Sequence, residues 1–163
     1  MDILNLYYTR MVDVIVEEGG MVNKFGGDSL LAIFGAPIRQ PDHALRAVRA
    51  AWQMMRALGE FNAEQVALGL PALTIGIGIS SGEVVAGNIG GEARLEYTVI
   101  EGPVNLASRL QSLTKEWGTP VLLSEDTQKS FSDELIQTKA LESIRVRGKQ
   151  LPTLVYELQG IGM

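Results

Sequence analysis

Asn105 and Arg109 lie four residues apart in the stretch EYTVIEGPVNLASRL, residues 96–110. The Gly102-Pro103 pair before them reads as a turn running into a helix, since proline suits the first helical position. Four residues is about one helical turn, so the amide and the guanidinium share a face. Leu106, Leu110 and Leu113 form a neighbouring apolar stripe that can seat the helix on a core. A guanidinium fixed beside an amide suits a group rich in oxyanions. Taken alone, the pair fits an ordinary solvated helix face with a surface arginine better than a binding site.

A second candidate is Asp28, in Gly26-Gly27-Asp28-Ser29 between two short apolar stretches, residues 21–25 and 30–34. That pattern reads as a β-hairpin with a glycine turn. A carboxylate held there can bind a divalent cation, although Gly-Asp is also ordinary turn chemistry. Lys24 stands four residues earlier on the incoming strand, a spacing that shares a face if the strand runs straight. The glycines at 76, 78, 82, 87, 90 and 91 invite a nucleotide-fold reading. GIGISSG departs from GxGxxG at Ser81, however, and runs on into a strand-like stretch. No GxxxxGK[ST] occurs either, so the Rossmann and P-loop readings are rejected.

The bulk properties narrow the chemistry. The 163 residues make one domain, residues 1–163, long enough to bury its own core. A net charge of -5 argues against broad binding to nucleic acid or anionic membrane. The chain has no cysteine, which excludes disulfide and thiolate chemistry and suits a reducing, cytoplasmic location. His43 is its only histidine, so any metal must be held by carboxylate oxygens, which favours magnesium or manganese. No apolar run reaches the roughly 18 residues a membrane span requires, and the opening MDILNLYYTR is not a signal peptide.

The elements that must position these groups follow from periodicity. Ile3, Leu4, Tyr7, Met11, Val14 and Ile15 fall at helical spacing, and Gly19-Gly20 should stop that helix. After the hairpin, Asp42 is the expected N-cap of a long helix with Ala44, Val48, Trp52 and Met55 on one face. Residues 73–79 read as a strand with Ile75, Ile77 and Ile79 on one face and Gly76 and Gly78 on the other. Glycines on one strand face usually admit a close neighbour, either backbone or ligand. Strands are expected at 83–86 and 97–100, then the Asn105/Arg109 helix and a strand at 119–123. A short helix after Ser124 and a final pair of strands near 143–146 and 153–158 complete the order. Helix, strand, strand, helix, strand is the order of a ferredoxin-like βαββαβ sheet that has one more strand in front.

Taken together, LNLYYTRMVDVIVEEGG, NKFGGDSLLAIFGAP, PDHALRAVRAA, IGIGISSGEVVAGNIG, EYTVIEGPVNLASRL and RVRGKQLPTLVYEL resemble the catalytic domain of class III adenylate/guanylate cyclases. The resemblance covers nearly the whole chain in one register. It implies an α+β fold with a ferredoxin-like core, and a head-to-tail homodimer whose composite sites lie at the interface. It implies conversion of ATP to cyclic AMP and pyrophosphate, by attack of the ribose 3′-hydroxyl on the α-phosphorus. Two magnesium or manganese ions per complete site assist that attack.

By the same resemblance, Asp28 matches the second metal-binding aspartate and Lys24 the lysine that reads the adenine edge. Asn105 matches the amide that orients the ribose, and Arg109 the arginine that stabilises charge on the pentavalent phosphorus. Arg147 takes the place of a triphosphate-binding lysine, and Arg94 is a further phosphate candidate. Thr98 stands where many adenylate cyclases have an aspartate that pairs with the adenine amino group; threonine there resembles a bacterial subgroup linked to bicarbonate stimulation. Glu101-Gly102-Pro103 replaces the usual Gly-Asp-Ala/Thr. The family's first metal aspartate, in a phrase like F-x-D-I-x-G-F-T on the opening strand, has no match. The chain is therefore expected to lack that strand and to be nearly inactive alone, as the output module of a protein with an upstream sensor or regulatory domain.

Two other readings remain. One is a non-catalytic regulatory or dimerisation module of the cyclase fold. The other is a guanylate cyclase, or a diguanylate cyclase suggested by Phe25-Gly26-Gly27-Asp28, although Ser29-Leu30 follows where Glu-Phe would be needed.

Overall fold

The computed structural model describes residues 2–26, 29–36, 38–83, 85–89, 92–98, 102–147 and 150–162, with backbone only at 2, 23–26, 85–89 and 92–98. The chain divides into two compact units, Met1–Ile75 and Gly76–Met163.

The first unit holds α1 (Asp2–Glu17), β1 (Met21–Gly26), β2 (Ser29–Ile33) and α2 (His43–Ala67). Tyr7, Met11 and Ile15, four apart, form the buried row of α1. Leu4 lies one position further round and is exposed, a correction to the expected stripe. The helix ends as the glycines predict: Gly19 takes φ 87, and the Gly20 N–H reaches back to the Ile15 carbonyl at 2.9 Å.

In α2 the buried row is Ala44, Val48, Ala51, Met54, Leu58, Phe61 and Gln65. Its steps of three and four follow the helical period, so Met54 turns inward and Trp52 and Met55 are only half-buried. Tyr7 meets Phe61 edge-on with ring centroids 6.1 Å apart, locking α1 to α2. Asp42 precedes α2 as expected but makes no side-chain cap. Its carboxylate binds Arg46 Nε at 2.8 Å instead, and that hydrogen bond holds its pKa below the ordinary value. β1 and β2 pair antiparallel, with a register shift between Val22 and Lys24.

The second unit holds β3 (Ile77–Ile79), β4 (Val85–Ile89), β5 (Glu92–Thr98), α3 (Pro103–Trp117), β6 (Val121–Ser124), α4 (Glu125–Lys129), β7 (Ile136–Ile144) and β8 (Thr153–Ile161). Four strands form a sheet in the order β3-β6-β8-β7, parallel between β3 and β6 and antiparallel elsewhere. β4 and β5 form a separate antiparallel pair. The core cluster of Leu106, Leu110, Leu122 and Val155 joins α3 to β6 and β8.

The order of elements in each unit is the one read from the sequence, and the architecture is α+β. Several boundaries differ. The strand expected from 73 begins only at Ile77, because the Asn62 side chain takes both backbone groups of Leu73. Asn62 Oδ1 accepts from its N–H and Nδ2 donates to its carbonyl, each at 2.8 Å. β4 and β5 are longer than the short strands expected at 83–86 and 97–100. β7 spans nine residues where a strand was expected only at 143–146. It is the sheet edge and mostly exposed, so its alternation of apolar residues is faint. The short helix after Ser124 forms as expected, with Ser124 Oγ accepting from the Thr127 N–H at 3.2 Å. Among the described residues, no helix is long and apolar enough to cross a membrane.

Candidate active site

The site is built on α3, and α3 is placed by glycines. A Cβ added at Gly78 would meet the Ala107 carbonyl oxygen, the Gln111 backbone nitrogen at 2.5 Å and Leu110 Cβ at 2.8 Å. At Gly76 it would collide with the Thr114 side chain, and at Gly82 with Pro103 Cγ at 2.5 Å. The three glycines thus run antiparallel to α3, from its last turn to its first. The close neighbour that the glycine-bearing face admits is the backbone of α3, not a ligand. Residue size on this strand therefore sets the depth of the helix.

On its other side α3 presents the polar pair. Asn105 is the third residue of the helix and Arg109 lies one turn on; both are exposed, while Leu106 and Leu110 beside them are buried. The Arg109 guanidinium donates to the backbone carbonyl of Arg145, just beyond the end of β7. Val146 packs its side chain on the Leu106/Leu110 cluster, which holds that segment against α3. Arg147 follows, exposed, in a turn. Two phosphate candidates far apart in sequence, Arg109 and Arg147, are therefore brought to one segment.

The remaining candidates are located by backbone alone. Thr98 ends β5 opposite Val85 of β4, and Arg94 lies on the same strand. Lys24 pairs with Leu31 across the β1–β2 ladder. It belongs, with Asp28, to the Met1–Ile75 unit, whereas Thr98, Asn105, Arg109 and Arg147 belong to the other. Asp28 lies outside the described residues.

The donor chemistry fits a hard divalent cation, because carboxylate oxygens are the ligands available to a chain without cysteine and with one histidine. Among the described residues, no cluster of three or more histidine, aspartate or glutamate side chains could hold such an ion. Asp28, the ligand that the sequence resemblance names, is not among those residues.

Three residues near the first turn of α3 or its arginine escaped the sequence reading: Arg145, whose carbonyl accepts from Arg109, Ser80, which donates to the Pro103 carbonyl, and its neighbour Ser81, which hydrogen-bonds Thr127. The Arg145 carbonyl is a backbone group and leaves no signature in residue type. Ser80 and Ser81 could have been noticed only as polar residues directly after a glycine-patterned strand.

Comparison with known proteins adds the family context. Residues 1–160 match the family described as adenylate and guanylate cyclase catalytic domain. Adenylate cyclase 1 of Rhizobium meliloti is 33% identical over 158 residues, which is 97% of this chain and 24% of that protein. The crystal structure of the guanylyl cyclase Cya2 superposes with a TM-score of 0.80 at 38% identity, covering 99% of this chain and 80% of that one. The adenylyl cyclase CyaB from P. aeruginosa gives a TM-score of 0.81 at 30% identity, covering 97% and 81%. The chain spans about a quarter of the length of the curated relatives it matches.

Proposed function

Because this chain belongs to the adenylate and guanylate cyclase catalytic domain family, we propose that the protein carrying it converts ATP to 3′,5′-cyclic AMP and pyrophosphate. The supporting observation is the pair on α3: Asn105 and Arg109 one turn apart on its exposed face, with Arg109 held by the Arg145 carbonyl. In this reading residues 1–163 form one cyclase domain acting in the cytoplasm, as a homodimer and under an upstream regulatory domain.

In the reaction, the ribose 3′-oxygen bonds to the α-phosphorus as the bond from that phosphorus to the pyrophosphate oxygen breaks. The Asn105 amide orients the ribose for in-line attack. Arg109 donates N–H groups to the α-phosphate oxygens as negative charge builds there, a role that for one pre-organised donor is worth roughly 3–4 kcal/mol. Arg147 and Arg94 bind the outgoing phosphates. The Lys24 ammonium donates to a ring nitrogen of adenine, and the Thr98 hydroxyl accepts from its amino group. A magnesium or manganese ion held through Asp28 would supply positive charge to the polyphosphate and the attacking hydroxyl.

The 38% identity to a guanylyl cyclase favours GTP as the second reading. Both are tested by incubating the full-length protein that carries this chain, rather than residues 1–163 alone, with ATP or GTP and manganese and separating the products by chromatography. Cyclic AMP from ATP, well in excess of cyclic GMP from GTP, is the expected result. Predominant cyclic GMP overturns the base assignment, and absence of both products overturns the catalytic reading.

A further inference from the structure

The helix that carries Asn105 begins without a side-chain cap. Gly102 precedes Pro103 with φ 129 and offers no side chain to the exposed N–H groups. What fixes this end comes from another part of the chain. The Ser80 hydroxyl donates to the Pro103 carbonyl, and Gly82 lets the proline ring lie flush on the same segment.

That segment is itself anchored from its other side. Ser81 Oγ lies 2.8 Å from Thr127 Oγ1, and Ser124 Oγ lies 3.1 Å from the same atom. Thr127 Oγ1 also donates to the Ile79 carbonyl at 3.4 Å. A threonine hydroxyl has one proton and two lone pairs. With its proton on Ile79, Thr127 accepts from both serines and its hydrogen bonding is complete. Thr127 and Ser124 are fully buried, so their end of the network is shielded from competing water, while Ser81 is half-buried. A continuous path of contacts therefore runs from the buried hydroxyls through Ser81 and Ser80 to Pro103, two residues before Asn105.

We infer that Ser80 is a positioning residue for catalysis, holding the first turn of α3 so that the Asn105 amide meets the ribose in its reactive orientation. The inference rests on the proposed cyclase reading and adds a residue that the motif match does not supply. A positioning error of this kind lowers the chemical step more than binding, because much of the nucleotide is held elsewhere.

The test compares S80A, S80T, N105A and the S80A/N105A double variant in the full protein, with cyclic AMP formation followed over a range of ATP. We expect S80A to lower kcat by about tenfold with KM within about twofold, and S80T to restore most of the rate. In the N105A background, S80A should cost nothing further, since Ser80 acts through Asn105. Should S80A fail to fold, S80C has nearly the same shape with a weak donor and carries the same expectation. If N105A is impaired and S80A is not, or if the two losses multiply, the inference is overturned while the cyclase reading stands. If N105A itself has full activity, the assigned role of Asn105 fails and takes this inference with it.

Discussion

Arg109 on α3 donates a guanidinium N–H to the backbone carbonyl of Arg145, 36 residues further along the chain. A carbonyl carries no net charge, so it aims the guanidinium without neutralising it, as a carboxylate partner would. Of the five N–H donors of the fork, this bond uses one and leaves the others for a ligand. The same segment continues to Arg147, so the two cations proposed to meet the phosphates share a support. Their effects should accordingly be coupled. In a double-mutant cycle on kcat/KM, R109A and R147A should fall short of additivity by roughly 0.5–1 kcal/mol or more. Independent, additive losses would show that the segment does not link them.

The glycine seat of α3 predicts opposite outcomes for two similar substitutions. Gly78→Ala drives a methyl into the Gln111 backbone and the Leu110 side chain, and should destabilise the protein by about 1–3 kcal/mol. Gly59 lies exposed within α2, with nothing within 4 Å of an added Cβ. Gly59→Ala should therefore stabilise by roughly 0.8–1 kcal/mol through helix propensity. Denaturant melts of the two variants check both signs.

That seat also shows how far the sequence could be read. The alternation of isoleucine and glycine from Ile75 to Ile79 foretold a close neighbour, but residue types cannot distinguish a helix backbone from a ligand. Asn105 and Arg109 were legible because a helical turn is a local property, and Leu106 and Leu110 marked the face they do not occupy. The carbonyl that holds Arg109 was not legible, since it depends on where Val146 packs in three dimensions. The start of β3 was misplaced for a similar reason: Asn62, on α2, occupies the backbone of Leu73.

Alkaline unfolding offers a test of the first unit. Burial, with a smaller contribution from neighbouring Tyr8, raises the Tyr7 pKa from 10.0 to about 12. The folded state thus retains the phenol proton where the unfolded chain has lost it. By linkage, this contribution is fully present below pH 10 and is lost as pH rises toward 12. Allowing for partial solvent screening, it amounts to about 1–2 kcal/mol. Tyr7→Phe should flatten the fall in stability over that window, as read from urea melts at successive pH values. An unchanged slope would show that Tyr7 titrates normally.

If α3 presents a pre-organised arginine to the α-phosphate of ATP, single-turnover cyclisation by the R109A variant of the full-length protein will register its loss. The rate of cyclic AMP formation at saturating ATP and manganese should fall by about 10²–10³, with the thermal melt and nucleotide affinity nearly unchanged. A rate within twofold of the parent protein would contradict the account.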